Sequence, residues 1–131
     1  MSETLTTRSR LGVGLATAVL GALVALALLF SVTAEAAPQK LVGTVGPGYT
    51  ISLKTVTGKR VNALTRGTYA ILVKDRSDEH NFYMRGPGVS KAFTGVDFVG
   101  TKTINVRLGS GRYAFVCTPH SDEMHGSVSV R

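Results

Sequence analysis

The stretch Arg112-Tyr113-Ala114-Phe115-Val116-Cys117-Thr118-Pro119-His120-Ser121-Asp122-Glu123-Met124-His125-Gly126 decides how this chain is read. Its first six residues alternate with the two-residue period of a half-buried strand. Tyr113, Phe115 and Cys117 then share one face, and Arg112, Ala114 and Val116 the other. The strand ends on the thiol and runs into a polar loop, so Cys117 is shielded from solvent yet can reach groups in that loop.

Within eight positions the loop supplies a thiolate, an imidazole and a thioether: Cys117, His120 and Met124. Soft and borderline donors of this kind suit copper cycling between Cu(I) and Cu(II). A trigonal site of two histidines and one cysteine, with a weak axial methionine, needs one more histidine, and His80 is the only histidine before the loop. One ligand from a distant segment and three from a single loop would tie the two together at one end of a fold. Zinc is disfavoured because thioether is a poor ligand for it. A cysteine hydrolase would use Cys117 and a nearby histidine, but no oxyanion-stabilising motif accompanies them.

Outward from this loop, the chain shows short β-rich runs broken by glycine turns. Strands are expected over 41–45, 49–54, 68–74, 103–108, 112–117 and 126–131, with a strand or strand edge in the apolar stretch His80 to Met84. Gly46-Pro47-Gly48, Thr57-Gly58-Lys59, Arg66-Gly67, Gly86-Pro87-Gly88 and Gly109-Ser110-Gly111 provide the turns. No long helical period interrupts this pattern, which is that of an all-β sandwich of two packed sheets. Gly67-Thr68-Tyr69-Ala70 and Gly111-Arg112-Tyr113-Ala114 open two strands in the same way, an echo that similar turn-to-strand entries explain without duplication.

These residues resemble the cupredoxin family, the small blue-copper proteins that include plastocyanin, pseudoazurin and amicyanin. The resemblance covers most of the chain after residue 36. It rests on His80-Asn81, on Tyr113 to Cys117 leading into Cys117-Thr118-Pro119-His120, and on Met124-His125-Gly126 before Val128 and Val130. It implies a Greek-key β-sandwich, one type 1 copper per chain bound by His80, Cys117, His120 and Met124, and a one-electron carrier that is not an enzyme. Asn81 resembles the family's asparagine whose backbone hydrogen-bonds the copper thiolate and whose side chain braces the ligand loop. Pro119 is a second neighbour of the sulfur that lacks an N–H to offer it. Three residues separate His120 from Met124, where plastocyanin has four and amicyanin two. The longer spacing would land on His125, which stays open as an alternative axial ligand. Strand alternation would turn His125 outward when Met124 points in. A copper storage or chaperone protein is the alternative function, since the ligands alone do not select electron transfer.

Residues 1–36 are expected to be a signal peptide or an N-terminal membrane anchor, and residues 37–131 the copper domain. Arg8 and Arg10 precede the apolar run from Leu11 to Val32, and Ala34-Glu35-Ala36 matches a signal-peptidase site. The run is also long enough to span a bilayer uncleaved. Either way the domain lies outside the cytoplasm: periplasmic, extracellular or on the outer face of the membrane. A single cysteine, Cys117, excludes an intrachain disulfide framework.

From Ala37 onward thirteen Lys and Arg face six Asp and Glu. So basic a body favours anionic membrane or cell-wall surfaces or an acidic redox partner. Five of the six acids flank the copper segments: Asp75, Asp78, Glu79, Asp122 and Glu123. They are expected to form an acidic rim, with Gly86-Pro87-Gly88-Val89 adding an uncharged contact beside His120. Partners are transient redox proteins docking near His120, with no nucleic acid, and the chain is expected to be a monomer.

Overall fold

A computed structural model of the chain describes residues 36–131. All but the last residue of the expected signal or anchor segment, residues 1–35, lie outside the described residues. Among the described residues no helix is long and apolar enough to cross a membrane.

The described residues form nine strands in two sheets: β1 Gln39–Val45, β2 Ile51–Thr55, β3 Ala63–Leu64, β4 Gly67–Asp75, β5 Tyr83–Gly86, β6 Val89–Ala92, β7 Gly100–Leu108, β8 Gly111–Val116 and β9 His125–Val130. One sheet has the order β2-β1-β4-β7 and the other β3-β9-β8-β5-β6. Both are mixed, because β1 runs parallel to β4 and β3 parallel to β9. Among the described residues the only helical turn is a short 3-10 segment, Thr118–His120.

Strand β4 shows why the sequence chooses this arrangement. Tyr69, Ile71, Val73 and Asp75 are buried while the residues between them are less so, the pattern of a strand with one face on a core. That core also takes in Leu41, Val45 and Leu53 from the same sheet, and Tyr113, Phe115, Cys117 and Val128 from the other. Phe82 stacks between Phe93 and Phe115, with ring centroids 5.8 Å away on each side. Gly43 makes room for it, since a Cβ there would lie 2.9 Å from the Phe82 ring. Burying such large aromatics contributes much of the core's stability.

The two similar strand entries have a common structural purpose. Tyr69 and Tyr113 are both fully buried, and each sends its hydroxyl back to a carbonyl four residues upstream, Thr65 at 2.7 Å and Gly109 at 3.3 Å. A buried phenol must find such an acceptor. The single hydroxyl hydrogen of Tyr113 is shared with the nearer Pro87 carbonyl, at 2.9 Å.

That last contact overturns one expectation. Strand β5 is antiparallel to β8, with Tyr83 opposite Val116 and Arg85 opposite Ala114. Moving from Tyr83 to Gly86 therefore leads away from Cys117, and the Gly86-Pro87-Gly88-Val89 hairpin sits at the far end of the sandwich against Gly111 and Tyr113. It cannot add a contact surface beside His120. The segment from His80 to Phe82 also is not strand. Phe82 donates its N–H to the Thr94 hydroxyl at 2.9 Å, and the strand begins only at Tyr83.

Candidate metal centre

The register brings one end of each sheet together. Val45 pairs with Asp75 and Asp75 with Gly100 in the first sheet, while Tyr83 pairs with Val116 and Val116 with His125 in the second. The segments that overrun these ends are the loop carrying Tyr49, the stretch from Arg76 to Phe82, and the loop from Cys117 to Met124.

The Cys117–Met124 loop closes on itself. The Cys117 N–H donates to the Met124 carbonyl at 2.9 Å, and the Met124 N–H to the His120 carbonyl at 2.8 Å. Pro119 suits the first turn of the 3-10 segment because that position needs no N–H donor. The loop is bound to the other ligand segment by Asn81, whose Oδ1 accepts the Thr118 N–H at 2.8 Å and the Thr118 hydroxyl at 3.2 Å. No hydrogen bond from the Asn81 backbone to the Cys117 sulfur is present among the described residues.

Three ligand atoms converge. His80 Nδ1 and His120 Nδ1 lie 3.6 and 3.7 Å from Cys117 Sγ and 3.0 Å from each other. His80 and Cys117 are buried and His120 is partly exposed. An ion bound at about 2.0 Å to nitrogen and about 2.3 Å to sulfur, with ligands roughly 120° apart, requires N···S separations of about 3.7 Å. The N···S separations therefore match a trigonal N2S site, while the 3.0 Å between the two nitrogens, shorter than the roughly 3.5 Å that 120° implies, corresponds to a narrower N–metal–N angle of about 100°. A hydrogen bond between the two imidazoles would explain their 3.0 Å approach but not the sulfur facing both.

Met124 is fully buried in the core cluster that contains Cys117, while His125 is exposed with its Nδ1 2.9 Å from the Ser121 carbonyl. Gly126 follows because Phe115 leaves no space there: a Cβ on Gly126 would collide with the ring's Cζ and lie 2.5 Å from Cε2.

Tyr49, which the sequence reading passed over, completes the site. Its ring lies edge-on to His120 with centroids 5.0 Å apart, and tilted against His80 at 5.4 Å. It is nevertheless 61 % exposed. A tyrosine in a glycine-rich turn carries no spacing signal, so only tertiary structure discloses it.

The expected acidic rim loses a member. Asp75 is 2 % exposed, and its Oδ2 is a buried oxygen with no hydrogen-bond partner among the described residues. Burial pushes its carboxyl above the ordinary carboxylate range, opposed by the Thr94 hydroxyl, the Ser77 N–H and the positive charge available on His80. Asp78, Glu79, Asp122 and Glu123 remain exposed.

The fold is that of the cupredoxins, and the His80, Cys117 and His120 cluster fits a blue-copper site, one type 1 copper per chain. The solved structures it is similar to include several of rusticyanin. A methionine-to-glutamine variant of rusticyanin aligns with a TM-score of 0.51 at 19% identity, over 70% of this chain and 76% of that one. The copper protein rusticyanin in another structure aligns with a TM-score of 0.50 at 17% identity, again over 70% and 76%. Rusticyanin from Thiobacillus ferrooxidans gives 0.49 at 21% identity, over 70% and 76%. No protein-family model matches the sequence, and the comparison with curated proteins gave no match.

Proposed function

We propose that this protein is a type 1 copper protein that carries electrons one at a time outside the cytoplasmic membrane, and is not an enzyme. The observation that carries the reading is the convergence of His80 Nδ1, His120 Nδ1 and Cys117 Sγ at separations a single copper ion would span. Met124 is the axial ligand in this reading, supported by its burial beside Cys117 and by the outward position of His125. When bound, copper supplies a one-electron Cu(I)/Cu(II) couple.

The chain's own residues suit that task. Strand β8, which ends just before Cys117, and the Asn81 brace hold the donors in nearly one geometry, so little has to reorganise when the charge changes. Burial of Cys117 keeps oxidants from the sulfur. His120 is only partly covered, which gives electrons a short route to the surface. A storage or delivery protein would gain nothing from a rigid, braced site, since it must release its metal. Export is supported by the apolar run and cleavage pattern before Ala37. The redox partners dock transiently near His120, and the protein acts as a monomer that does not bind nucleic acid.

The test is the visible spectrum after one equivalent of Cu(II), followed by ascorbate. An intense thiolate-to-copper band that bleaches on reduction and returns on oxidation is expected, with Cys117→Ser abolishing it. A folded, thiol-reduced protein that gives no such band would overturn the reading.

A further inference from the structure

Beside the metal centre, the edge strand β2 and the ligand loop border an open groove of about 610 Å³. Tyr49, Lys54, Arg60, Arg76, Glu123 and His125 are among the residues that line it. Three fixed cations thus face one lining carboxylate, whereas Asp78, Glu79 and Asp122 of the expected acidic rim are exposed but do not line this groove. Lys54, Arg60 and Arg76 are all exposed. Among the described residues the side-chain hydrogen bond made by a lysine or arginine is that of Arg112 to Ser127, on the opposite sheet. The groove's cations are therefore free to meet an outside acceptor. Tyr49 forms part of the groove and also touches the rings of His80 and His120, so a molecule seated there lies one aromatic ring from two copper ligands.

We propose that this groove is the docking surface for an anionic redox partner protein, whose carboxylates pair with Lys54, Arg60 and Arg76 while Tyr49 and the edge of His120 form the contact across which the electron passes. The inference rests on the blue-copper reading and adds to it the charge and place of the partner. Concentrated charge of one sign raises encounter rates with the opposite sign and is screened by salt. Such steering suits contacts that must form and dissociate quickly. The step is a bare electron transfer: Cu(I) becomes Cu(II), the acceptor is reduced by one electron, and no proton or bond moves.

Oxidation of the copper(I)-loaded protein by hexacyanoferrate(III), a small trianion, tests this at low ionic strength. Arg60→Glu should slow the reaction about threefold or more, an effect that fades as salt is raised. Arg107→Glu changes the net charge equally but sits on β7 opposite Thr68, far from the metal end, and should have a much smaller effect. With the cation tris(phenanthroline)cobalt(III), Arg60→Glu should accelerate the reaction. A second readout needs no electron transfer: redox-inert hexacyanochromate(III) should broaden the amide signals of Tyr49, Lys54 and Arg60 before that of Arg107, and polyglutamate should displace it. Equal effects of the two charge reversals, or broadening centred elsewhere, would overturn the proposal. Failure of the blue-copper reading is separately visible, as a missing blue band in protein whose groove still gathers the chromate.

Discussion

The Asn81 side chain accepts both the backbone N–H and the hydroxyl of Thr118, so that the segment carrying His80 and the loop carrying Cys117 and His120 are joined 37 positions apart in the chain. Asn81 is nearly fully buried but Thr118 is exposed, so its freed N–H can turn to water and the loss is that of an ordinary hydrogen bond, about 0.5–1.5 kcal/mol. Asn81→Ala should lower unfolding stability by that amount and speed copper loss to a chelator, as measured by denaturant unfolding and by decay of the blue band. An unchanged rate of copper release would show that the brace does not act on the metal site.

Pro119 bears on the electronics of the same loop. It has no N–H to offer the Cys117 sulfur, and fewer donors leave a thiolate more electron-rich, which stabilises Cu(II). Pro119→Ala restores a donor at that position, and the reduction potential should rise. Voltammetry decides the matter, and an unchanged or lower potential counts against it.

Gly126 explains the Met-x-Gly spacing in packing terms. Phe115 lies against its Cα where a Cβ would stand, and Phe115 is also stacked on Phe82 and so has little freedom to retreat. Overpacking of this kind typically costs about 1–3 kcal/mol. Gly126→Ala should show that loss in thermal unfolding while the blue band of the folded fraction keeps its position.

Much of the sandwich was legible because strands β1, β2, β4, β8 and β9 carry apolar residues at alternate positions with glycine turns between them. Strand β7 extends earlier than its apolar alternation, starting at Gly100 rather than Thr103, because Gly100 to Thr103 are exposed and pair with β4 through backbone alone. Strands β3, β5 and β6 gave less signal. Two residues make no period, and the β5–β6 hairpin places Arg85, Ser90 and Lys91 on an exposed edge. The clustered donors His80, Cys117 and His120 could be read because their chemistry is rare in combination and because two of them sit in one loop. Tyr49 and the cationic groove could not, since they arise from residues brought together by the packing of β2 against the ligand loop. Of the five acids only Asp75 misled, for a related reason: adjacency in sequence to His80 does not reveal that it ends a core-facing strand and turns inward.

Asp75 gives a pH dependence of definite sign. Its carboxyl is held above its ordinary value of 3.8 chiefly by burial, so the native state binds that proton more tightly than the unfolded chain. In the interval just above the ordinary value, stability should fall as pH rises, and the cost of the buried charge is fully present near neutrality. Asp75→Asn removes the charge and retains an oxygen for the Ser77 N–H. In the metal-free protein the variant should unfold at a higher temperature than wild type near neutral pH, the gap closing as the pH is brought down toward 3.8. Copper on His80 should shrink the gain, because the bound cation favours the ionised carboxylate. A variant less stable than wild type at neutral pH would show that Asp75 contributes more through its contacts than it costs through its charge.

The axial position separates two adjacent residues by opposite outcomes. Met124 is buried with Cys117, whereas His125 stands in solvent with its Nδ1 facing the Ser121 carbonyl. His125→Ala should therefore leave the blue band and the reduction potential essentially unchanged, and cost no more than the roughly 0.5–1.5 kcal/mol of one hydrogen bond. Met124→Leu keeps the volume but removes the thioether, a weak donor that helps Cu(II) more than Cu(I), so the potential should rise while the three equatorial ligands keep the protein blue. Met124→Gln places a harder oxygen donor there and should lower the potential. Spectroelectrochemistry of the three variants provides the comparison: a colour shift toward green in wild type that disappears in His125→Ala, with Met124→Leu silent, would move the axial bond to His125.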